Sequence, residues 1–346
     1  MKIPQEFDTI RPWEPEDLPE VFDRLLSNDQ FKQVLAYLYP QVPFEMIAQK
    51  LKACKTNLDF QLAFAYDFVH GILKKAATGC EMDCTFASDN TSGVHPKVME
   101  ALNKANVGAA EPYGDDLWTA EAEGCFKALF GDDVDVFLVP LGTGANVLGF
   151  NRMIRSWHSI LCSDMAHTHT SESGAVEAVV GCKMTPIPSV HGKISAGALS
   201  AYLTDMGSPH HNQPGLVALT QSTEVATVYT PEEIKAIVDV AHANGLFVHM
   251  DGARIANAAV ALGCDVRSFT KDLGVDMMSF GGTKNGMMMA ESVVVFNKDF
   301  VRDFVTLRKQ NLQLASKMRF LAAQYIAYFK DGLWLENARH ANNLAS

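Results

Sequence analysis

Asp276-Met-Met-Ser-Phe-Gly-Gly-Thr-Lys-Asn-Gly-Met-Met-Met-Ala290 sets one amine, Lys284, in surroundings where a surface lysine makes little sense. The apolar run 277–280 reads as a buried strand, Gly281-Gly282 lets the backbone turn sharply, and Gly286 frees the far side before 292–296 reads as the next strand. Lys284 is therefore expected at the end of a strand, in a dry cleft with apolar residues pressing on it from both sides. Desolvation there favours the neutral amine, the form that attacks a carbonyl and holds a Schiff base. An exposed lysine on a glycine-rich turn is the plain alternative, and what the rest of the chain supplies decides between them.

From about residue 84 onward, apolar runs of strand length alternate with helical periodicity. Strands are expected at 134–139, 159–162, 183–188, 216–220, 246–250, 277–280 and 292–296, with helices between them. This pattern predicts an α/β fold with a mostly parallel sheet covered on both faces. The clearest helix follows Thr230, which caps it, with Pro231 at its first position, Glu233 closing a capping box and Gly245 past its end. In such sheets the working residues gather at the carboxyl ends of the strands.

Three of those ends carry chemistry. After 134–139 comes Pro140-Leu-Gly-Thr-Gly-Ala-Asn146, opening directly into a helix. Gly142 and Gly144 let backbone N–H groups converge on an anion, Thr143 adds a hydroxyl, and the helix start adds its positive end, which makes a phosphate seat. The pattern is neither G-x-G-x-x-G nor a Walker loop, and a plain turn into a helix is the alternative. After 246–250, His249-Met-Asp-Gly-Ala-Arg254 sets a carboxylate, Asp251, and a guanidinium, Arg254, where a planar heteroaromatic could meet both. An Asp251–Arg254 ion pair capping the next helix is the plainer use. After 159–162, His167, His169 and Glu172 lack the spacing of a metal site, and a neutral His167 imidazole stacked on a ring is the simpler use.

A phosphate seat, a stacking imidazole, an acid for a ring nitrogen and a Schiff-base lysine together match the parts of pyridoxal 5′-phosphate. Thr143 and Gly144 would anchor the phosphate, His167 would cover one face, Asp251 would keep the ring nitrogen protonated and Lys284 would hold the aldehyde carbon. No metal is expected.

Composition bounds the alternatives. The chain has 346 residues and a formal net charge of −11, with no Lys/Arg-rich run, which argues against a nucleic-acid surface. Its apolar runs fall far short of the ~20 residues that cross a membrane. Residues 1–8 form no apolar signal region, and the seven cysteines are an odd count without a C-x-x-C pair, so a cytoplasmic, thiol-reduced protein is expected.

Residues 1–83 differ in texture. Four early prolines precede helical periodicity at 18–26, 31–39, 44–51 and 60–73, which predicts a small all-helical unit joined near Gly79-Cys-Glu-Met-Asp-Cys84. The segment faintly resembles the helical N-terminal part of some bacterial glycerolipid acyltransferases. Those enzymes need a His and an Asp with four residues between them, and no such pair occurs in this chain. A docking or capping appendage is the expectation.

From about Thr85 the chain resembles the low-specificity L-threonine aldolases of the aromatic amino acid β-eliminating lyase/threonine aldolase family. The resemblance rests on Phe86-Ala-Ser-Asp-Asn-Thr-Ser-Gly-Val-His-Pro96, Pro112-Tyr-Gly-Asp-Asp116, Leu141-Gly-Thr-Gly-Ala-Asn146, His167 with Glu172-Ser-Gly-Ala175, Gln221-Ser-Thr-Glu224, His249-Met-Asp-Gly-Ala-Arg254 and Ser279-Phe-Gly-Gly-Thr-Lys-Asn285. It implies an aspartate-aminotransferase-like large domain over 84–346 and a homodimer or homotetramer. It further implies that Ser88 contacts the substrate carboxylate, Arg254 the cofactor's phenolic oxygen, and that Tyr113 lines the site, in this fold often from the neighbouring subunit. Ser316-Lys-Met-Arg319 would lie near the phosphate across the dimer.

The activity implied is cleavage of a β-hydroxy-α-amino acid, such as L-threonine or L-allo-threonine, to glycine and an aldehyde. Such relatives continue past a point like 334–342 into a C-terminal small domain that supplies an arginine for the substrate carboxylate, whereas this sequence stops at Ser346. A fused or truncated chain is therefore expected, lacking a bidentate clamp. Elimination of the tryptophanase or tyrosine phenol-lyase kind, and a pseudoenzyme that keeps the cofactor without turnover, are the alternatives.

Overall fold

All seven expected strands form, each within three residues of its expected bounds. The computed structural model describes residues 88–204 and 206–345, together with Ser27, Asp29 and Lys32. The helices expected within 1–83 fall almost entirely outside them. The chain divides into two compact units, residues 1–91 and 92–346. Within the second, α1 (Pro96–Ala105) and α2 (Leu117–Phe130) lead into β1 (Asp135–Val139), α3 (Gly142–Met153), β2 (His158–Ser163), α4 (His167–Thr170), α5 (Ala175–Val180), β3 (Lys183–Ile187) and α6 (Ala196–Ala201). Then come β4 (Gln213–Thr220), α7 (Pro231–Ala243), β5 (Phe247–Gly252), α8 (Ile255–Leu262), β6 (Met277–Gly281), β7 (Glu291–Val295), α9 (Phe304–Gln310), α10 (Arg319–Phe329) and α11 (Leu333–Ala345).

The strands pair in the order β1-β7-β6-β5-β4-β2-β3. β7 is antiparallel to both its neighbours and the other pairs are parallel, so six strands point one way. The carboxyl ends of those six therefore share one edge with the beginning of β7. α7 starts as its sequence predicts: Thr230 accepts the Glu233 N–H, Glu233 accepts the Thr230 N–H in return, and Gly245 follows the helix at φ 73°.

Both faces of the sheet are buried, because strand residues alternate between two cores. Val136, Leu138, Val248, Met250, Met278 and Phe280 belong to a core shared with Phe126 and Phe130 of α2 and Tyr325 of α10. Phe137, Val139, Met277, Val293 and Val295 belong to the opposite core, with Leu148 and Phe150 of α3. Each fully buried side chain of this size contributes about 1.5–3 kcal/mol, so the sandwich is a rigid floor for the loops at its edge. The same alternation puts His249, Asp251 and Ser279 on the α3 face, where polar residues need partners.

No helix among the described residues is long and apolar enough to cross a membrane. The four described cysteines, Cys125, Cys162, Cys182 and Cys264, are free thiols.

Candidate active site

Lys284 sits in a single helical turn, Thr283–Asn285, immediately after β6. The turn is held from both sides. Thr283 donates its N–H to Glu291 at 3.3 Å and accepts the Ala290 N–H on its hydroxyl at 3.2 Å. Asn285 donates to the Tyr328 hydroxyl at 2.7 Å and the Trp334 carbonyl at 2.9 Å, and its own carbonyl accepts from Asn337 at 3.0 Å. Glycine is required where β6 ends: a Cβ on Gly281 would lie 2.5 Å from the Ala253 carbonyl oxygen, which is how closely the β5 and β6 ends approach. The Lys284 amine makes no hydrogen bond with the described residues.

The dry cleft expected around this lysine forms only in part. Lys284 is half-buried; Met287 packs under the turn and is 3% exposed, whereas Met288 and Met289 are 50% and 46% exposed. Apolar character in the sequence had no means of separating a residue packed against the turn from one pointing outward beside it.

Glycine-rich Leu141-Gly-Thr-Gly-Ala145 opens α3 with no side-chain cap, leaving the first N–H groups of a twelve-residue helix to another partner. The positive end of the helix dipole adds to them. A Cβ on Gly144 would lie 2.3 Å from the Gln313 amide, so only glycine admits the loop that follows α9 this close. The Gln313 Oε1 is buried and without a hydrogen-bond partner among the described residues. Uncapped N–H groups at a helix start suit a bound anion.

Between this seat and the lysine turn runs a chain of buried and partly buried hydrogen bonds. His167 Nδ1 pairs with Glu172 Oε1 at 3.0 Å; Asn146 Nδ2 donates to the same Oε1 at 3.1 Å and to Asp251 Oδ2 at 2.9 Å. The Ser279 hydroxyl donates to Asn146 Oδ1 at 2.9 Å, and Asp251 Oδ1 accepts the Ala253 N–H at 2.9 Å. One amide therefore serves two carboxylates, and its orientation is fixed by the serine. The His167 backbone N–H donates to Glu224 at 2.7 Å, which also accepts from Thr220 at 3.0 Å, so α4 is anchored to the end of β4.

The hydrogen bond that His167 donates to Glu172 pushes its imidazole pKa up, partly offset by burial. The neutral ring expected from the sequence is thus biased toward imidazolium. Beneath Asp251 on the same face of β5, His249 is fully buried, and burial lowers its pKa to about 4, so it is a neutral core ring edge-on to Phe150 at 4.8 Å.

Glu291 enters from β7. In register it faces Val139 of β1 on one side and Gly281 of β6 on the other. Burial pushes its carboxyl up to about 7, against the lowering effect of Thr283 and Lys284.

Thr143, Gly144, His167, Asp251 and Lys284 thus all stand at one edge of the sheet. Arg254 stands at the start of α8, three residues beyond Asp251. Tyr113 is exposed, with φ 63°, its N–H on the Ser316 carbonyl at 3.0 Å and the Lys309 amine 4.8 Å from its ring centre. No hydrogen bond joins it to the network among the described residues. Ser88 belongs to the first unit, in the turn before Asp89–Thr91, where its hydroxyl accepts the Asn90 N–H at 3.2 Å. Sequence reasoning missed Asn146 and Ser279 as partners, gave Glu172 no role beside His167, and began the last strand one residue after Glu291. An isolated Asn at the start of a helix carries no signal of the carboxylates it will meet.

The sequence pattern described as Beta-eliminating lyase matches residues 85–346. A low specificity L-threonine aldolase of Pseudomonas sp. (strain NCIMB 10558) is 44% identical over 261 residues, covering 75% of this chain and 75% of that relative. Among solved structures, the Leishmania major threonine aldolase superposes with a TM-score of 0.72 at 30% identity, over 75% of this chain and 76% of that one. The Thermus thermophilus aspartate aminotransferase, at 12% identity, TM-score 0.58 and 79% and 70% coverage, shares the fold alone. The aspartate-aminotransferase-like architecture expected from the sequence is therefore the one adopted, and the chain belongs to the beta-eliminating lyase family, together with the low-specificity L-threonine aldolases.

Proposed function

We propose that this chain cleaves the Cα–Cβ bond of a β-hydroxy-α-amino acid, L-threonine or L-allo-threonine, releasing glycine and an aldehyde with pyridoxal 5′-phosphate as cofactor. The observation that carries the reading is the shared edge of the sheet. An anion seat, a histidine oriented by a buried carboxylate, an aspartate and a free lysine amine meet there. When bound, the cofactor would supply an electron-accepting ring beside the bond to be broken.

The chain's own residues divide the remaining work. Lys284 offers the amine that holds the aldehyde carbon, on a turn too well fastened to wander. Gly142, Thr143 and Gly144 take the phosphate on the first N–H groups of α3. Asp251, steadied by Asn146 and Ala253, accepts the ring N–H, and Arg254 meets the phenolic oxygen. His167 has Nδ1 committed to Glu172, which leaves Nε2 to stack against the ring and exchange a proton with the β-hydroxyl. Ser88 and Tyr113 serve the substrate, Tyr113 in the neighbouring subunit of a homodimer or homotetramer in the cytoplasm.

Borohydride reduction of the cofactor-loaded protein should leave a pyridoxyl group on the peptide containing Lys284. Incubation with L-threonine should yield glycine and acetaldehyde, and Lys284→Ala should abolish both results. Release of ammonia and a keto acid without glycine would replace the aldolase reading with elimination. Sedimentation of the purified protein tests the oligomer, which a monomer at working concentration would refute.

A further inference from the structure

The anion seat, His167, Asp251 and Lys284 follow or end parallel strands. β7 runs the other way, so its first residue arrives at that same edge, and that residue is an acid. Glu291 stands in register between Val139, where the chain leaves for the anion seat, and Gly281, where it leaves for the lysine turn. Its carboxylate holds the Thr283 N–H at 3.3 Å, one residue before Lys284. A methyl placed on Gly142, the first residue of α3, would lie 4.0 Å from its carboxyl carbon. The residue is only 7% exposed. Facing it are Lys284 from the turn, Asp251 from β5, and Tyr325 and Tyr328 from α10, of which Lys284 alone is cationic.

A carboxylate at this place opposes a second negative group on the start of α3, whereas the neutral acid does not and can donate a hydrogen bond. We propose that Glu291 is a positioning residue that fastens the lysine turn to the anion seat and takes up one proton when a phosphate group fills that seat. The proposal rests on the reading of the site as a phosphate seat beside a Schiff-base lysine. Its linkage follows from the raised carboxyl pKa of about 7. Above that pH the free protein holds Glu291 ionised, so seating a phosphate must protonate it, and affinity falls about tenfold for each further pH unit. Below that pH the carboxyl is already neutral and contributes no pH dependence.

The full-length apoprotein is titrated with pyridoxal 5′-phosphate and with pyridoxal, which carries the same aldehyde and no phosphate. Calorimetry at pH 8 and pH 9, in two buffers of unequal ionisation enthalpy, gives the protons taken up. Borohydride reduction with peptide mapping establishes that each aldehyde reaches Lys284. The phosphate form is expected to take up about one proton more than pyridoxal, and its affinity to fall about tenfold more between the two pH values. Both differences should disappear in Glu291→Gln. Equal proton counts for the two aldehydes in the unaltered protein, or an excess that persists in Glu291→Gln, would overturn this inference and leave the proposed function standing. Failure of both aldehydes to label Lys284 would overturn the two together. The comparison between aldehydes needs no variant, so it decides the matter even if Glu291→Gln does not fold.

Discussion

Replacing Asn146 by alanine removes the one donor shared by two carboxylates. Its amide makes hydrogen bonds of 3.1 Å to Glu172 and 2.9 Å to Asp251, accepts one of 2.9 Å from Ser279, and is only 3% exposed. A hydrogen bond to a charged group contributes ~1.5–3 kcal/mol and a neutral one ~1 kcal/mol, and a donor or acceptor left unpaired in the interior adds its desolvation cost. Against this, alanine gains roughly 0.5 kcal/mol of helix propensity in α3, and a water entering the cleared volume can restore part of the lost bonding. The net expectation for Asn146→Ala is a loss of about 3–5 kcal/mol. Asn146→Leu fills the space, keeps water out and should cost more. Urea denaturation followed by tryptophan fluorescence measures both. Cofactor affinity should fall alongside, because the carboxylate meant for the ring nitrogen loses the group that orients it. A loss below 1 kcal/mol in Asn146→Ala with unchanged cofactor affinity would refute the view that this amide organises the site.

Gly144→Ala drives a methyl to 2.3 Å from the Gln313 amide, the far end of a side chain that can swing, so folding should change by less than about 1.5 kcal/mol. Cofactor affinity should drop at least about tenfold, a loss that added Gln313→Ala relieves, as absorbance titration would report. Gly149→Ala puts a methyl 2.9 Å from the His249 ring and 3.3 Å from the Met277 sulfur, where a buried ring cannot retreat. Overpacking of ~1–3 kcal/mol equals or exceeds the ~1 kcal/mol gained in helix propensity, so a lowered melting temperature is expected, and a raised one would contradict the packing described. Glu172→Gln removes the main cause of the raised His167 pKa, so NMR titration should find the imidazole nearer its ordinary value. Because a raised histidine pKa stabilises below the unfolded value and is lost as pH rises through the folded one, this variant should lose more stability at pH 5 than at pH 9.

Much of the fold was legible because its signals are local. Apolar runs at 277–280 and 292–296, the capping box at Thr230 and Glu233, and the glycines around Lys284 and Thr143 each act within a few residues, which is the range over which backbone preference and patterning operate. The candidate site was legible as a set of strand ends for the same reason. Where the reading erred, the deciding contacts were distant. Met288 and Met289 look like packing around Lys284, but in the fold they stand about half exposed before β7 begins.

The sequence by itself determined the elements, their order and which of their ends carry reactive groups. Tertiary structure decided which groups share a hydrogen bond. Asn146 meets Asp251 across 105 residues and Ser279 across 133. Glu291 joins the site only because β7 runs antiparallel between β1 and β6. No local preference encodes those pairings. They arise when a sheet buried on both faces brings its strand ends to one edge, where each buried carboxylate must find a donor.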